Sequence, residues 1–504
     1  MSALATLAHL PLRIGQPHEF ARVRGFFQQA AFDDVSLCRT LGMDDMSELG
    51  RLRWDEIRLD LSSEPLRWCI RVFVRGLQAT EQESRTVCGE ETFAAFLSLG
   101  LLRPAKKDAS VVLCPVWVYP ADGFVVASDR RDDPDGEPYT PPADVVFPAI
   151  YAGTLRFLRL LPEVRDGETL DLCGGSGIGA LCFSRTARLA ATADVTERSA
   201  FFAEFNARLN GAFIRSFCGD LYGPVRGWQF DVISAHPPFV PATGQNMVYR
   251  DGGDTGEEVT RRIVEGLPAH LRTGGTCVIL CVACDTEVKT FERRARDWLG
   301  EVRDDFDIVF GLEKILSVEE VIESIRKRGQ QIGEEEARQL FARLRSHATR
   351  QFVYGALVIR RYSEPVIQEP LRIRLAPAGR AADFECLFAW RHHCRQPGFC
   401  EWLAKSRPRL AHPLELTVRH AVRDGQLVPV EFVFSIEGGF QAALRPDGWV
   451  VPLLARLEGT KSVQEVFEAA RSADELPQGF TLDAFADLVG RMIERGFLEV
   501  ALPR

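Results

Sequence analysis

The chain has 504 residues, 46% of them hydrophobic and 26% charged, which is ordinary globular usage and enough to bury two to four domain cores rather than stay disordered. The formal net charge of −9 does not indicate a broad basic surface for phosphate backbones, although 61 Lys and Arg leave room for a local patch. No apolar run approaches the roughly 20 residues that span a bilayer, the first residues lack a basic and small-residue cleavage pattern, and the 13 cysteines are an odd, scattered set. Free thiols in a reducing, cytoplasmic setting are therefore expected.

Three regions are expected along the chain. Residues 1–142 carry helical patterning at Pro65–Gln78 and Glu90–Leu99, with Gly100 as a stop. Strand-like runs follow at Val111–Tyr119 and Gly123–Ser128. Helices followed by a two-stranded ribbon predict a small winged-helix-like module. Ser128–Ala143 is charged and rich in Pro, and reads as a linker.

Residues 143–362 alternate strands and helices in the manner of a parallel α/β sheet. The expected strands are Glu168–Cys173, Leu189–Val195, Ala212–Cys218, Phe230–Ala235 and Thr276–Val282. Helices are expected at Ser199–Leu209, Glu257–Leu271, Val318–Arg328 and Glu334–Thr349, before a last strand at Gln351–Arg360. Residues 363–504 form an α+β accessory region. Its expected strands are Leu414–Val422, Val428–Ile436 and Phe497–Ala501, and its helices Ser462–Ala473 and Leu482–Gly496. From Trp449 to Val500 the spacing loosely resembles the small winged-helix peptide-binding modules found beside natural-product maturation enzymes.

The most informative segment is Thr169–Gly179, where an apolar strand passes Asp171 and turns through Cys173, Gly174, Gly175, Ser176 and Gly177 into a helix. Glycines serve where backbone must approach a ligand closely or take positive φ. Asp194, followed by Val195, ends the next strand and suits a ribose diol. Asp220, followed by Leu221, ends the third and can accept from an adenine amine. Each Asp alone is more simply a cap or turn residue. Three carboxylates at successive strand ends of one βαβ frame point instead to a ligand at the carboxyl edge. A dinucleotide-binding oxidoreductase is the rival, because Gly175, Gly177 and Ala180 also meet its looser glycine pattern.

The fourth strand runs into Asp231–Pro241, DVISAHPPFVP. Adjacent prolines after a strand fix a rigid turn beside the glycine loop. With the glycine motif, this resembles the class I S-adenosylmethionine-dependent methyltransferases, within the Asn-Pro-Pro-Tyr/Phe group. That group includes the release-factor glutamine and "small" ribosomal-RNA methyltransferases. The likeness continues through Tyr249–Gly253 and Thr273–Leu280 and covers under half of the chain. It departs at Cys173, where the family has glycine, and at His236, where it has Asn.

The resemblance implies a Rossmann-like domain with a mostly parallel seven-stranded sheet and S-adenosylmethionine as cofactor. Asp171, Cys173, Gly174, Gly175, Gly177, Asp194, Val195, Asp220 and Leu221 would hold the cofactor. Pro237, Pro238 and Tyr249 would contact substrate, and His236 and Phe239 would frame the reacting atom. His236 can orient the acceptor or take its proton. The expected reaction is methyl transfer to a polar nitrogen or oxygen of a peptide or natural-product small molecule. An RNA methyltransferase, disfavoured by the net charge, and a non-catalytic cofactor-binding scaffold are the alternatives. The acceptor atom and the oligomeric state stay open.

No metal site is expected. Cys281 and Cys284 lie in an apolar strand and read as buried structural thiols. The cluster Cys386, His392, His393, Cys394 and Cys400 lacks zinc-ligand spacing. Arg326–Arg328 and Arg343–Arg350 share their helices with Glu residues and read as solvated faces.

Overall fold

The computed structural model describes residues 10–503 other than 58, 60, 61, 243–246, 328–332 and 412–413. Arg328 therefore lies outside the described residues. The chain divides into two compact units. The first comprises residues 1–306, 316–353 and 361–367, and the second residues 307–315, 354–360 and 368–504.

Five strands form the heart of the first unit: β1 (Glu168–Leu172), β2 (Leu189–Asp194), β3 (Arg215–Cys218), β4 (Phe230–Ala235) and β5 (Leu271–Thr286). They lie in the order β5-β4-β1-β2-β3, and every neighbouring pair is parallel. β1, β2 and β4 are almost wholly buried, as strands covered on both faces must be. β1 is flanked by β2 on one side and β4 on the other. The winding direction thus reverses at β1, and in open α/β sheets ligands bind outside the carboxyl ends at such a reversal. The architecture is α/β and Rossmann-like.

β5 is longer than the expected Thr276–Val282. Thr273, Gly274 and Gly275 precede the expected strand, yet they sit inside the observed one as an irregularity between Leu271 and Thr276. β3 is shorter than expected and starts at Arg215. The helices match closely: Glu197–Asn210, Glu258–His270, Val318–Lys327 and Glu334–Ser346. Thr196 caps the first of these by accepting from Ser199 N–H, and Gly211 ends it with φ 66.

The residues before the sheet pack as a helical cap around an aromatic core of Phe26, Phe27, Phe32, Trp68, Phe73 and Phe96. The expected helix Pro65–Gln78 is helical from Glu64 to Cys69, widens to a π turn over Ile70–Val74, and ends before Gly76 at φ 72. The expected strand Val111–Tyr119 is two strands, Val111–Leu113 and Trp117–Ala121, interrupted at Cys114–Val116. Trp117–Ala121 pairs antiparallel with Phe124–Ser128 to form the expected ribbon.

Ser128–Ala143 is irregular, but it is not a free linker. Asp129 is 4% exposed and makes a bidentate pair with Arg198 at 2.8 and 2.5 Å. It also accepts from Val146 N–H at 2.7 Å. The ribbon is tied down as well: Asn206, fully buried, exchanges hydrogen bonds with both backbone groups of Ala127 and donates to Ser176 O in the glycine turn. The segment's composition signals a linker, whereas its anchors are far away in sequence.

In the second unit, strand Leu371–Leu375 pairs parallel with Phe306–Leu316 and antiparallel with Phe440–Leu444. A long hairpin, Leu414–Arg423 with Gln426–Glu437, continues from Phe440–Leu444. Helices Val450–Ala455, Val463–Ser472 and Leu482–Glu494 bury Leu453, Val466, Phe485 and Val489 against Phe434 and Ile436. The expected closing strand Phe497–Ala501 is only Leu498–Glu499, which pairs with Arg409–Leu410. Among the described residues, no helix is long and apolar enough to cross a membrane.

Candidate active site

The glycine turn leaves β1 at Leu172. Cys173 takes φ 57, a left-handed conformation that costs a β-carbon some strain and explains a glycine preference there. Gly174 packs against Thr192, and Gly177, at φ 80, against Ala203 on the next helix. Gly175, at φ 53, is different: a β-carbon there would meet nothing. It faces open space, so the backbone at Gly175 is what a ligand can reach.

Asp171 lies beneath the turn, 2% exposed. Burial raises its carboxyl to about 7, opposed by hydrogen bonds from Ser234 Oγ, at 2.7 Å, and Ala180 N–H. Ser234 lies on β4 directly opposite Asp171, so this bond ties β4 to β1 just below the glycine turn. Asp171 is thus a support for the turn and touches no open space.

Asp194 ends β2, half-buried. Its Oδ2 accepts from Gly175 N–H at 3.0 Å, and its Oδ1 accepts from Thr196 N–H and Oγ1 at 3.1 and 3.2 Å. Each carboxylate oxygen has further lone pairs for a ligand diol. Val195 follows at 54% exposed. Asp220 ends the stretch after β3. With Gly219, Leu221, Tyr222 and Arg262 it lines a cleft of about 620 Å³. Arg262, on the helix Glu258–His270, places Nη2 2.6 Å from Asp220 Oδ2. That hydrogen bond raises the guanidinium further above its ordinary value. Tyr222 closes the cleft floor, its ring stacked on His270 at 4.3 Å and its hydroxyl donating to Ile263 O.

The acceptor motif leaves β4 at Ala235. His236 is half-buried between two rings: Phe157 at 5.6 Å and Phe239 at 5.8 Å between centroids. Among the described residues nothing hydrogen-bonds its ring nitrogens. This apolar setting lowers its pKa to about 4. Pro237 is buried, and Pro238 and Phe239 half-buried. Val240 donates to Arg250 O and accepts from Gly252 N–H, so the segment around Tyr249 runs alongside the proline turn. Tyr249 is 37% exposed and stacks on Phe147 at 4.9 Å. Phe147 stacks in turn on Tyr151, with Arg131 over both rings.

The sequence-predicted residues therefore fall into two groups on one sheet edge. Cys173–Gly177, Asp194 and Asp220 lie at β1 to β3. His236–Phe239 and Tyr249 lie at β4. Residues 148–290 match the family model described as "Methyltransferase small domain". This segment is a class I methyltransferase domain of the Asn-Pro-Pro-Tyr/Phe group.

Relatives of the methyltransferase domain include a release factor glutamine methyltransferase of Prochlorococcus marinus. It is 28% identical over 149 residues, which is 26% of this chain and 48% of the relative. A ribosomal protein uL3 glutamine methyltransferase of Bradyrhizobium diazoefficiens is 32% identical over 127 residues, 21% of this chain and 38% of the relative. The chain thus spans about half the length of the first relative and less of the second. Among solved structures, a methyltransferase from Pyrococcus furiosus aligns with 16% identity and TM-score 0.24, over 39% of this chain and 75% of that one. The T. thermophilus 16S rRNA methyltransferase, solved with AdoMet and guanosine, aligns with 14% identity and TM-score 0.27, over 56% and 63%.

Several contributors to the site escape sequence reading. Phe157, Phe147 and Tyr151 precede the glycine motif, in a stretch without a motif of its own. Arg262 sits on a helix face patterned for solvent. Ser234 is the seemingly neutral residue before Ala235. Cys281 and Cys284 are buried, and burial pushes both thiols up. Among the described residues no group of three His, Cys, Asp or Glu is placed to hold a metal. His393 instead packs its ring on Trp402 at 4.3 Å.

Proposed function

We propose that the chain is an S-adenosylmethionine-dependent methyltransferase acting on a polar nitrogen or oxygen of a peptide or peptide-like natural product. The observation that carries this reading is the placement of the glycine turn and the His-Pro-Pro-Phe turn on either side of the reversal point of a parallel sheet. The open space at Gly175 and the half-exposed carboxylates of Asp194 and Asp220 fit an aminoacyl nucleoside. Gly175 would lie against its amino-acid part, Asp194 against the ribose and Asp220 against the adenine amine.

When bound, the sulfonium supplies a methyl group on a good leaving group. The protein's task is then to hold the acceptor at near-attack distance and exclude water. Phe239 and the proline turn would form a rigid wall on the acceptor side. His236, neutral at pH 7, can accept a hydrogen bond from the acceptor N–H or O–H and so aim its lone pair. A conjugate acid with pKa about 4 makes the ring a poor proton store, which favours orientation over proton abstraction. The aromatic shelf of Tyr249, Phe147 and Tyr151 would extend the acceptor surface outward.

Relatives named for glutamine in proteins support a peptide acceptor, and His236 in place of Asn argues that this acceptor differs from theirs. We assign residues 143–362 to the methyltransferase domain, residues 1–142 to a cap on it, and residues 363–504 to an α+β accessory domain.

Calorimetric titration with S-adenosylmethionine, S-adenosylhomocysteine and NAD tests the cofactor reading. Binding of the first two and none of NAD is expected. Binding of neither sulfur nucleoside would overturn it. An acceptor screen with peptides, RNA and small molecules then tests the substrate class.

A further inference from the structure

The strand Leu414–Arg423 ends its sheet. It pairs with Gln426–Glu437 on one side, and among the described residues nothing pairs with its other side. The strand is ten residues long, LELTVRHAVR, without Pro or Lys. Exposed edges are normally blunted by charged side chains, Pro, a bulge or a covering element, because their open N–H and C=O groups recruit another strand; the charges here are Glu415, Arg419 and Arg423. Here the irregularity near Arg419 lies on the partner strand, so the outer edge stays regular.

The hairpin fixes which groups point outward. Asp424 and Gly425 have φ 50 and 76, as in a two-residue type I′ turn, with Arg423 opposite Gln426. Arg423 and every second residue back to Glu415 then bond the partner strand. Leu416, Val418, His420 and Val422 direct their backbone groups to the open edge. Their side chains also share one face. Near the base Leu416 and Leu414 lie opposite the buried Phe434 and Ile436, with Leu416 itself 42% exposed. Toward the tip this face is bare: Val422 is 74% and Leu427 72% exposed.

The edge complements itself. Folded antiparallel onto a second copy about Arg419, the strand sets Leu416 opposite Val422, Thr417 opposite Ala421, and Glu415 opposite Arg423. By symmetry each pairing occurs twice. On one face Leu416 meets Val422 and Val418 meets His420, and on the other Glu415 meets Arg423. Arg419 meets its own copy at the axis, but each Arg419 is already paired with Glu431 at 2.7 Å. A shift of register by one residue would put Glu415 opposite Val422 or Asp424 rather than a cation, and would break the charge match.

We infer that Leu414–Arg423 is a homodimer interface, joining two copies of this chain into one continuous antiparallel sheet with Glu415–Arg423 pairs on either side of the axis. The occupant of the edge is a second copy of the chain. This inference does not depend on the cofactor or the reaction.

Sedimentation velocity on the full chain across a hundredfold range of concentration tests it, with circular dichroism as the check on folding. The wild type should form a concentration-dependent dimer. Glu415→Arg and Arg423→Glu should each weaken the dimer about tenfold or more, because two attractive cross-strand pairs become two repulsive ones. The double variant E415R/R423E should recover dimerisation to within about threefold. Val422→Lys should weaken it independently of the charge swap. A chain that stays monomeric throughout overturns the inference, as does a dimer indifferent to the single reversals. A monomer whose edge instead takes up an added extended peptide also overturns it.

Discussion

Arg262 Nη2 lies 2.6 Å from Asp220 Oδ2, so the carboxylate assigned to the adenine amine is already held by a cation across the cleft. Both side chains are more than half exposed. Such pairs are weak and screened by salt. An incoming adenine amine and Arg262 would compete for the same oxygen. Asp220→Ala should therefore weaken binding of S-adenosylhomocysteine, while Arg262→Gln should tighten it, about two- to fivefold at low salt. Raising the salt should shrink the gap between wild type and Arg262→Gln. Calorimetry at two ionic strengths reads both effects, and weaker binding by Arg262→Gln would instead make Arg262 a direct contact.

Asp194 and Gly175 are joined by one hydrogen bond, at 3.0 Å, from the glycine turn to the end of β2. Losing the carboxylate removes the expected ribose acceptor and loosens the turn. Hydrogen bonds to a charged partner are worth about 1.5–3 kcal/mol. Asp194→Ala should raise the dissociation constant of S-adenosylhomocysteine by about tenfold or more. Asp194→Glu should recover little, because the longer side chain no longer meets Gly175 N–H. Unchanged affinity in Asp194→Ala would remove this residue from the site.

The central strands and the glycine turn were legible because their signals are local. Phe230–Ala235 is apolar, bounded by Gln229 and the prolines, and is observed over the same residues. Asp171, Asp194 and Asp220 end or flank successive strands, so one reading of periodicity places all three. What escaped is set by distant partners. Asp129 is anchored by Arg198, far along the chain, and nothing near Asp129 announces this. Asn206 reads as an ordinary helix residue, yet it joins the ribbon to the glycine turn. His236 was visible, but its apolar setting depends on Phe157, which lies before the glycine motif.

Asn206 gives a stability test. It is fully buried and satisfies Ala127 N–H, Ala127 O and Ser176 O. Asn206→Leu keeps roughly the volume and strands those groups. Each buried unsatisfied group costs about 1–3 kcal/mol. A loss of about 2–4 kcal/mol is expected in urea unfolding of the full chain, and cofactor affinity should fall as well because Ser176 lies in the turn. A loss near zero would show that water or rearranged backbone takes over its bonds.

Asp171 makes a pH prediction with a definite sign. Its carboxyl is raised to about 7 in the fold, against an ordinary value of 3.8. Between those values the folded chain holds a proton that the unfolded chain releases. The group's contribution to stability is therefore complete below about pH 4 and is lost as the pH rises toward 7. Asp171→Asn keeps a hydrogen-bond acceptor for Ser234 and cannot ionise. The wild type should lose stability relative to Asp171→Asn as the pH is raised from about 4 to about 8. Denaturant midpoints of the two proteins across that range check this, and parallel curves would mean that Asp171 is ionised throughout.

His236 has the opposite sign. Its pKa falls to about 4, from an ordinary value of 6.5. Below pH 6.5 the unfolded chain takes up a proton that the folded ring resists, so this residue's contribution to stability declines as the pH drops toward 4. In catalysis the neutral ring is the competent form, so methylation should show no His236 titration between about pH 6 and 9 and should fall only as the pH approaches about 4. His236→Ala should lower the methylation rate with little change in cofactor affinity, because the ring lies on the acceptor side. His236→Asn restores the family's residue and an orienting acceptor atom, but not a titratable one. Recovery of rate in His236→Asn, with the same flat profile, is the expected result if the ring orients the acceptor. A rate that stays low in His236→Asn, together with a wild-type profile that breaks near neutral pH, would make His236 a general base instead.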